Sequence, residues 1–129
     1  MSSDLVWSIV RKQNAFLVKR DFTEFSREKG NLLNRNTRKH TGLANERTIH
    51  IGAQKRGRIT LTVQKTKEGS APATQPAAHF VKTSLKGNST RQLARKVVNA
   101  TVRSGYRADL KSAALGRLSA LVRSQAKKE

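Results

Sequence analysis

Ile59, Leu61 and Val63 alternate with Thr60, Thr62 and Gln64. A period of two marks a strand buried on one face, so Arg58–Lys65 is predicted as a strand. Arg47–Ala53 reads as a second strand. The link Gln54-Lys55-Arg56-Gly57 carries a glycine of the kind hairpin loops need. Upstream, Ala15–Arg20 reads as a strand, followed by a polar turn and a short strand over Phe22–Ser26. Residues 27–47 are polar, Asn-rich and basic, and read as loop. His79–Leu85 predicts a further short strand. The pattern then changes period. Ser89-Thr90-Arg91-Gln92 fits a capping box opening a helix with Leu93, Val97 and Ala100 on one face, and Gly105 supplies a stop. A second helix is predicted from about Asp109, whose charge suits the positive end. Its apolar stripe is Leu110, Ala114, Leu118, Leu121 and Val122. At the N-terminus, Asp4 can cap a short helix carrying Leu5, Trp7, Ile9 and Val10. The β-branched residues there also suit a strand, but helix is the reading adopted. Strands first and two helices last predict an α+β fold, with a small antiparallel sheet, a short N-terminal helix and two C-terminal helices.

The chain has 129 residues, enough for one domain with a modest core. One domain over 1–129 is expected, with residues 69–78 as a flexible loop, because Gly69-Ser70-Ala71-Pro72-Ala73-Thr74-Gln75-Pro76 is a low-complexity stretch. No internal repeat is visible. The absence of cysteine removes disulfides, thiolate metal sites and cysteine nucleophiles, and fits a reducing compartment. The run Leu5–Val10 is too short for a signal peptide or a membrane span, and no other segment approaches either length. A cytosolic or nuclear chain is therefore expected.

Charge changes the picture most. The formal net charge is +19, and it is spread along the chain: +9 over residues 1–69, +1 over 70–85 and +9 over 86–129. A fold positive in both halves repels itself and is best tolerated where a polyanion supplies the missing charge. Nucleic acid is the expected partner. Catalysis finds little support. His40, His50 and His79 are scattered, the eight acids form no tight cluster, and no phosphate-binding, dinucleotide-binding or nucleophile-elbow motif is present. No cofactor, metal or small-molecule substrate is expected.

The candidate contact residues follow from charge and chemistry. Lys55, Arg56 and Arg58 surround the glycine of the predicted hairpin tip, where cations can bridge phosphates or simply be solvated. Asn34-Arg35-Asn36-Thr37-Arg38-Lys39-His40 mixes guanidinium forks with amides. Arg grips phosphate, while Asn34, Asn36 and His40 can read base edges or a 2′-hydroxyl. Arg11 and Lys12 close the first predicted element, and Lys19 and Arg20 close the strand over Ala15–Arg20. Arg91, Arg95 and Lys96 on one helix, and Arg117, Arg123, Lys127 and Lys128 on the next, are expected to stand away from the apolar stripes. A basic amphipathic helix can also lie on a membrane, but these faces are Ala- and Val-rich without aromatics, so packing on the strands is preferred and no membrane partner is expected. Trp7 reads as a core anchor, with base stacking as its alternative.

Several segments occur in an order that resembles a known family. They are Leu5-Val6-Trp7-Ser8-Ile9-Val10-Arg11-Lys12, Asn14-Ala15-Phe16-Leu17-Val18-Lys19-Arg20, Ser26, Asn31-Leu32, Asn36-Thr37-Arg38 and Thr41-Gly42-Leu43. Near the end come Tyr106-Arg107-Ala108-Asp109-Leu110, Ala113-Ala114 and Ser119-Ala120-Leu121-Val122-Arg123-Ser124-Gln125. Together they resemble ribosomal protein twenty-eight of the eukaryotic large subunit. The resemblance implies a non-catalytic structural component of the cytosolic large subunit, assembled in the nucleolus and held against ribosomal RNA and neighbouring large-subunit proteins. The resemblance also implies a longer basic extension past the final helix, where this chain ends at Lys127-Lys128-Glu129. The alternative is a free regulatory or ribosome-assembly RNA-binding protein. The expected mode of binding is mainly through phosphate and sugar contacts.

Overall fold

The computed structural model describes residues 2–54, 58–64, 80–87 and 89–126. The expected loop over 69–78, the hairpin-tip residues Lys55 and Arg56, and Lys127 and Lys128 lie outside the described residues. The elements run α1 (Ser3–Val10), β1 (Leu17–Arg20), β2 (Thr23–Ser26), β3 (Ile49–Ala53), β4 (Ile59–Gln64), β5 (Phe80–Leu85), α2 (Thr90–Thr101) and α3 (Lys111–Ala126), with a single 3-10 turn, Ala108–Leu110, leading into α3. The α+β expectation holds, with the antiparallel pairing divided in two. β1 and β2 form one hairpin, and β3-β4-β5 form a separate three-stranded sheet.

The register of the larger sheet explains the core. Ile51 faces Leu61, Ala53 faces Ile59, and Ile59 faces Leu85. Directly opposed residues share a face, so the alternation read in β4 lines up with the buried Ile49 and Ile51 of β3. Against this face pack Leu93 and Val97 of α2, Leu110, and Ala114 and Leu118 of α3, with Leu121 and Val122 partly buried beside them. The buried core is wholly aliphatic.

The helix ends follow local rules. Ser89 caps α2 by accepting from the Gln92 amide at 3.4 Å, as the capping box predicts. At its other end, the Tyr106 amide reaches the Thr101 carbonyl at 2.8 Å and the Gly105 amide reaches Val102 at 3.1 Å. This is a Schellman closure with Gly105 at φ +69, a conformation that glycine adopts without strain. The face of α2 differs from expectation at one position. Ala100 is exposed, and Thr101 is buried with Leu93 and Val97. The i, i+4, i+8 row selects it, and its hydroxyl is satisfied by the Val97 carbonyl at 2.7 Å, which makes a polar residue tolerable there.

α1 corrects two expectations. Its cap is Ser2, whose hydroxyl accepts from the Asp4 amide at 3.3 Å, and Asp4 sits in the first turn. No residue of α1 is buried, so Trp7 is only half-buried and is not a core anchor. The helix is held by polar contacts instead. Arg38 reaches Asp4 and Ser3, and the Asn36 amide reaches the Arg11 carbonyl.

Tyr106 locks the sheet to the helical layer. Its hydroxyl donates to the Gln64 carbonyl at 2.6 Å, with the Thr48 carbonyl at 3.1 Å. One side chain thus pins the end of β4 and the approach to β3.

Leu118→Ala should lower stability by about 2–5 kcal/mol, the range for opening a cavity among buried aliphatics. A denaturant titration measures it. A loss under about 0.5 kcal/mol, the scale of surface substitutions, would place α3 outside the core.

Candidate nucleic-acid interface

Residues 27–47 carry one isolated bridge, Phe25 to Arg35, and otherwise no regular structure. They are nevertheless ordered by a dense set of side-chain hydrogen bonds. The Glu28 carboxylate is buried and accepts from the Asn31 amide at 3.0 Å, the Thr41 hydroxyl at 3.1 Å and the Gly42 amide at 3.1 Å. It therefore draws the two ends of the loop together. Gly42 belongs there because a Cβ would stand 2.6 Å from the Lys29 carbonyl oxygen. Asn31 also donates to the Arg35 carbonyl at 2.7 Å, and Asn45 to the carbonyls of Arg38 and Thr41, both at 2.8 Å.

This frame sets the positions of the expected contact residues. Asn36 donates to the Arg11 carbonyl and the Glu24 carboxylate, both at 2.9 Å. Through it the structure brings together Arg11, Lys12, the β1–β2 hairpin with Lys19 and Arg20, and Arg35. All five of those cations are exposed. Asn34 adopts φ +54, and its side-chain oxygen accepts from Arg117 at 3.2 Å. Lys39 is exposed and lends its carbonyl to Arg107 at 2.9 Å. His40 pairs with the Thr37 hydroxyl at 2.9 Å. Arg58, on the β3–β4 link, and Arg91, Arg95 and Lys96, on α2, are exposed but share no described bond with this cluster. The Lys96 ammonium is taken up by the Lys86 carbonyl. Arg123 is exposed in the last turn of α3.

Two arginines turn inward. Arg117 does not stand clear of the packed face as expected. It is half-buried and donates to Ile51 at 2.7 Å and Leu32 at 3.1 Å, with Asn31 at 3.4 Å, all carbonyls. β3 is an edge strand, so its outer carbonyls need donors. A guanidinium fork can serve several at once. Burial pushes the Arg117 pKa down from its ordinary value. Arg38 spends its fork on Asp4, Ser3 and Asn45.

Sequence reasoning passed over Arg107 and Glu28. Arg107 adopts φ +47 and binds the Asp109 carboxylate twice at 3.0 Å, the Arg47 carbonyl at 3.0 Å and the Lys39 carbonyl. Its hydrogen bond holds the Asp109 carboxyl below the usual range. The Arg-x-Asp spacing ahead of a helix was the available signal. Glu28 offered none, since one acid in a polar stretch has no period.

Among the described residues, no group of His, Asp and Glu could hold a metal ion, and no helix is long and apolar enough to cross a membrane. Two side-chain ion pairs occur among the described residues, Arg38–Asp4 and Arg107–Asp109. None of the cations of the Asn36-centred cluster joins an ion pair among the described residues, although Lys19 stands opposite Glu24 across the hairpin. A model of the Ribosomal L28e protein family matches residues 5–124. This chain belongs to that family. A Dictyostelium discoideum protein named large ribosomal subunit protein eL28 is 39% identical over 118 residues, spanning 92% of this chain and 84% of the relative. Proteins of the same name from Schizosaccharomyces pombe and Caenorhabditis elegans are 33% and 34% identical. Those alignments cover 100% and 99% of this chain, and 96% and 94% of the relatives. Little of either relative lies outside the match, so the longer basic extension expected of the family is not a feature of those two. The L28e family is one of ribosomal structural proteins, not of enzymes.

Histidine protonation gives a test of the frame. Burial lowers the pKa of His50, followed by the charges of Arg117 and Lys29. Burial and then Lys39 and Arg107 lower that of His40. His50 Nδ1 accepts from the Gly30 amide at 3.5 Å, a role only the neutral ring fills. With folded pKa values below the unfolded one, the unfolded chain takes up protons first as pH falls. Stability should be fully present well above about pH 6.5 and decline as pH drops through that value. His50→Gln should flatten the decline in melts taken from about pH 7.5 to about pH 5.5. An equally steep decline in the variant would show that His50 is not responsible.

Proposed function

We propose that this chain is a structural constituent of the cytosolic large ribosomal subunit. As a single domain it binds ribosomal RNA mainly through phosphate and sugar contacts, beside neighbouring large-subunit proteins, after nucleolar assembly. The observation that carries the reading is the imbalance of charge. A chain of net charge +19 spends few of its described cations on its own acids and leaves them on the surface, where releasing phosphate counterions is favourable. Family membership and the names of the relatives support the large subunit as the setting. The rigid polar loop and the exposed cations of the Asn36-centred cluster, Arg11, Lys12, Lys19, Arg20 and Arg35, form the leading interface. Arg58, Arg91, Arg95, Lys96 and Arg123 add a second set of phosphate contacts. The constituent reading requires stoichiometric cosedimentation with large subunits through a high-speed gradient. Recovery only in free fractions would favour a regulatory protein.

If about six phosphates are neutralised, affinity for RNA should fall with salt with a log–log slope of about −4 to −5. Arg95→Ala should leave the melting temperature unchanged and reduce the slope by about 0.7–0.9. Arg117→Ala should do the reverse, lowering the melting temperature because it strips donors from buried carbonyls. Salt-titrated binding and circular-dichroism melts on both variants measure this. A slope near zero for the parent chain would contradict phosphate-dominated binding.

A further inference from the structure

All four phenylalanines of this chain are exposed: Phe22 at 106%, Phe80 at 45%, Phe16 at 44% and Phe25 at 37%, while the buried core is aliphatic. Aromatic rings ordinarily dominate cores, yet here every phenylalanine is outside. Three belong to one small surface. In the β1–β2 hairpin, Val18 faces Phe25 and Arg20 faces Thr23. The Arg27 amide bonds the Phe16 carbonyl at 2.9 Å, which extends the ladder by one rung, and Arg35 bridges Phe25 from the other side. Opposed residues and residues two apart share a face. The outer face therefore reads Phe16 with Arg27, Val18 with Phe25 and Arg35, and Arg20 with Thr23, with Phe22 in the turn. Glu24 pairs with Lys19 on the opposite face, where Asn36 holds its carboxylate. No acid shares the outer face, and the turn holds the one nearby, Asp21.

We propose that this face is a stacking platform for unpaired RNA bases, with Phe16, Phe22 and Phe25 supplying rings and Arg20, Arg27 and Arg35 supplying charge. The proposal rests on the RNA-binding function above and adds base stacking to its phosphate contacts. A docked protein would have to cover three guanidinium groups, whereas a nucleic-acid strand brings phosphates to them. Spacing selects the kind of strand. Phe16 and Phe25 are diagonal neighbours, which puts them about 7–8 Å apart, roughly twice the ~3.4 Å step along one strand of a duplex. A paired, stacked helix cannot offer its base faces to both rings. An opened single strand can, since every base has a π-face and such stacking tolerates any sequence.

The test compares an oligoadenylate single strand with a blunt RNA duplex of equal phosphate count, each titrated with the full chain at several salt concentrations. Phe22 is wholly exposed, so Phe22→Ala should leave the melt unchanged. It should weaken binding to the single strand by about tenfold, the scale of one stacked base. Duplex affinity and the salt slope should not move, because no cation is removed. Phe16→Ala should behave likewise. Phe22→Leu, which keeps apolar bulk but no π-face, should match Phe22→Ala, and Phe22→Tyr should restore binding. Unchanged single-strand binding, equal losses on both probes, or full activity of Phe22→Leu would overturn the platform. If the Phe variants bind RNA normally yet fail to join large subunits, the face serves a protein and the proposal falls. A flat salt slope for the parent chain would instead overturn the underlying phosphate reading, so the two failures are distinguishable.

Discussion

One buried carboxylate organises the surface of this protein. Glu28 accepts three hydrogen bonds from Asn31, Thr41 and Gly42, and in doing so orders residues 27–47, a mainly polar stretch that Leu32 anchors in the core but that has no hydrophobic period. A buried charge is costly unless it is fully hydrogen-bonded. Here three donors converge on it, two side chains and a backbone amide. The consequence reaches well past the loop. Asn36, fixed by this frame, ties α1 and the β1–β2 hairpin together. Arg117 reaches from α3 to the same loop and to the free edge of β3. The aliphatic core sets the stability of the three-stranded sheet and its two helices, and the polar frame sets where the cations of the Asn36-centred cluster stand.

The arginines divide by direction. Arg38, Arg107 and Arg117 use the guanidinium fork internally, on carbonyls and on the few available acids. Arg20, Arg27 and Arg35 remain on the exposed face of the hairpin. The division matters because a +19 chain repels itself, and an external polyanion would relieve that repulsion. The internal arginines lower the effective repulsion by placing positive charge against carbonyl dipoles, and the external ones are the seat proposed for RNA. Phe16, Phe22 and Phe25 stand with the external group, which is the reverse of the usual place of such rings in a small domain.

What was legible in the sequence was whatever has a period or a local rule. The alternation at Ile59, Leu61 and Val63 gave β4, Ser89 and Gln92 gave the start of α2, and Leu110, Ala114 and Leu118 gave the packed stripe of α3. The order within residues 27–47 was invisible because side-chain hydrogen bonds between Glu28, Asn31 and Thr41 leave no spacing signature. The inward turn of Arg117 is invisible because an arginine looks the same in sequence whether it meets solvent or a carbonyl. Hydrophobicity favours Ala100 over Thr101, but the i, i+4, i+8 row buries Thr101, and the Val97 carbonyl that satisfies its hydroxyl belongs to the helix itself. Trp7 was expected inside by its chemistry alone, whereas α1 is fastened by Arg38 and Asn36 rather than by apolar burial. The candidate site was thus readable as a composition, but its internal and external members could not be told apart.

If the proposed interface binds RNA, its cations do so because the Glu28 frame positions them, not because the chain is merely positive. Glu28→Gln separates these ideas. It preserves size, removes one negative charge and sets an amide group against donors that now meet a carboxylate. Simple electrostatics then favours tighter RNA binding, by the attraction of one added positive charge. The positional account predicts weaker binding, with faster amide exchange in residues 27–47 and unchanged protection in β3 and β4. RNA affinity of Glu28→Gln equal to or above that of the parent chain, with the loop exchanging faster, would contradict it.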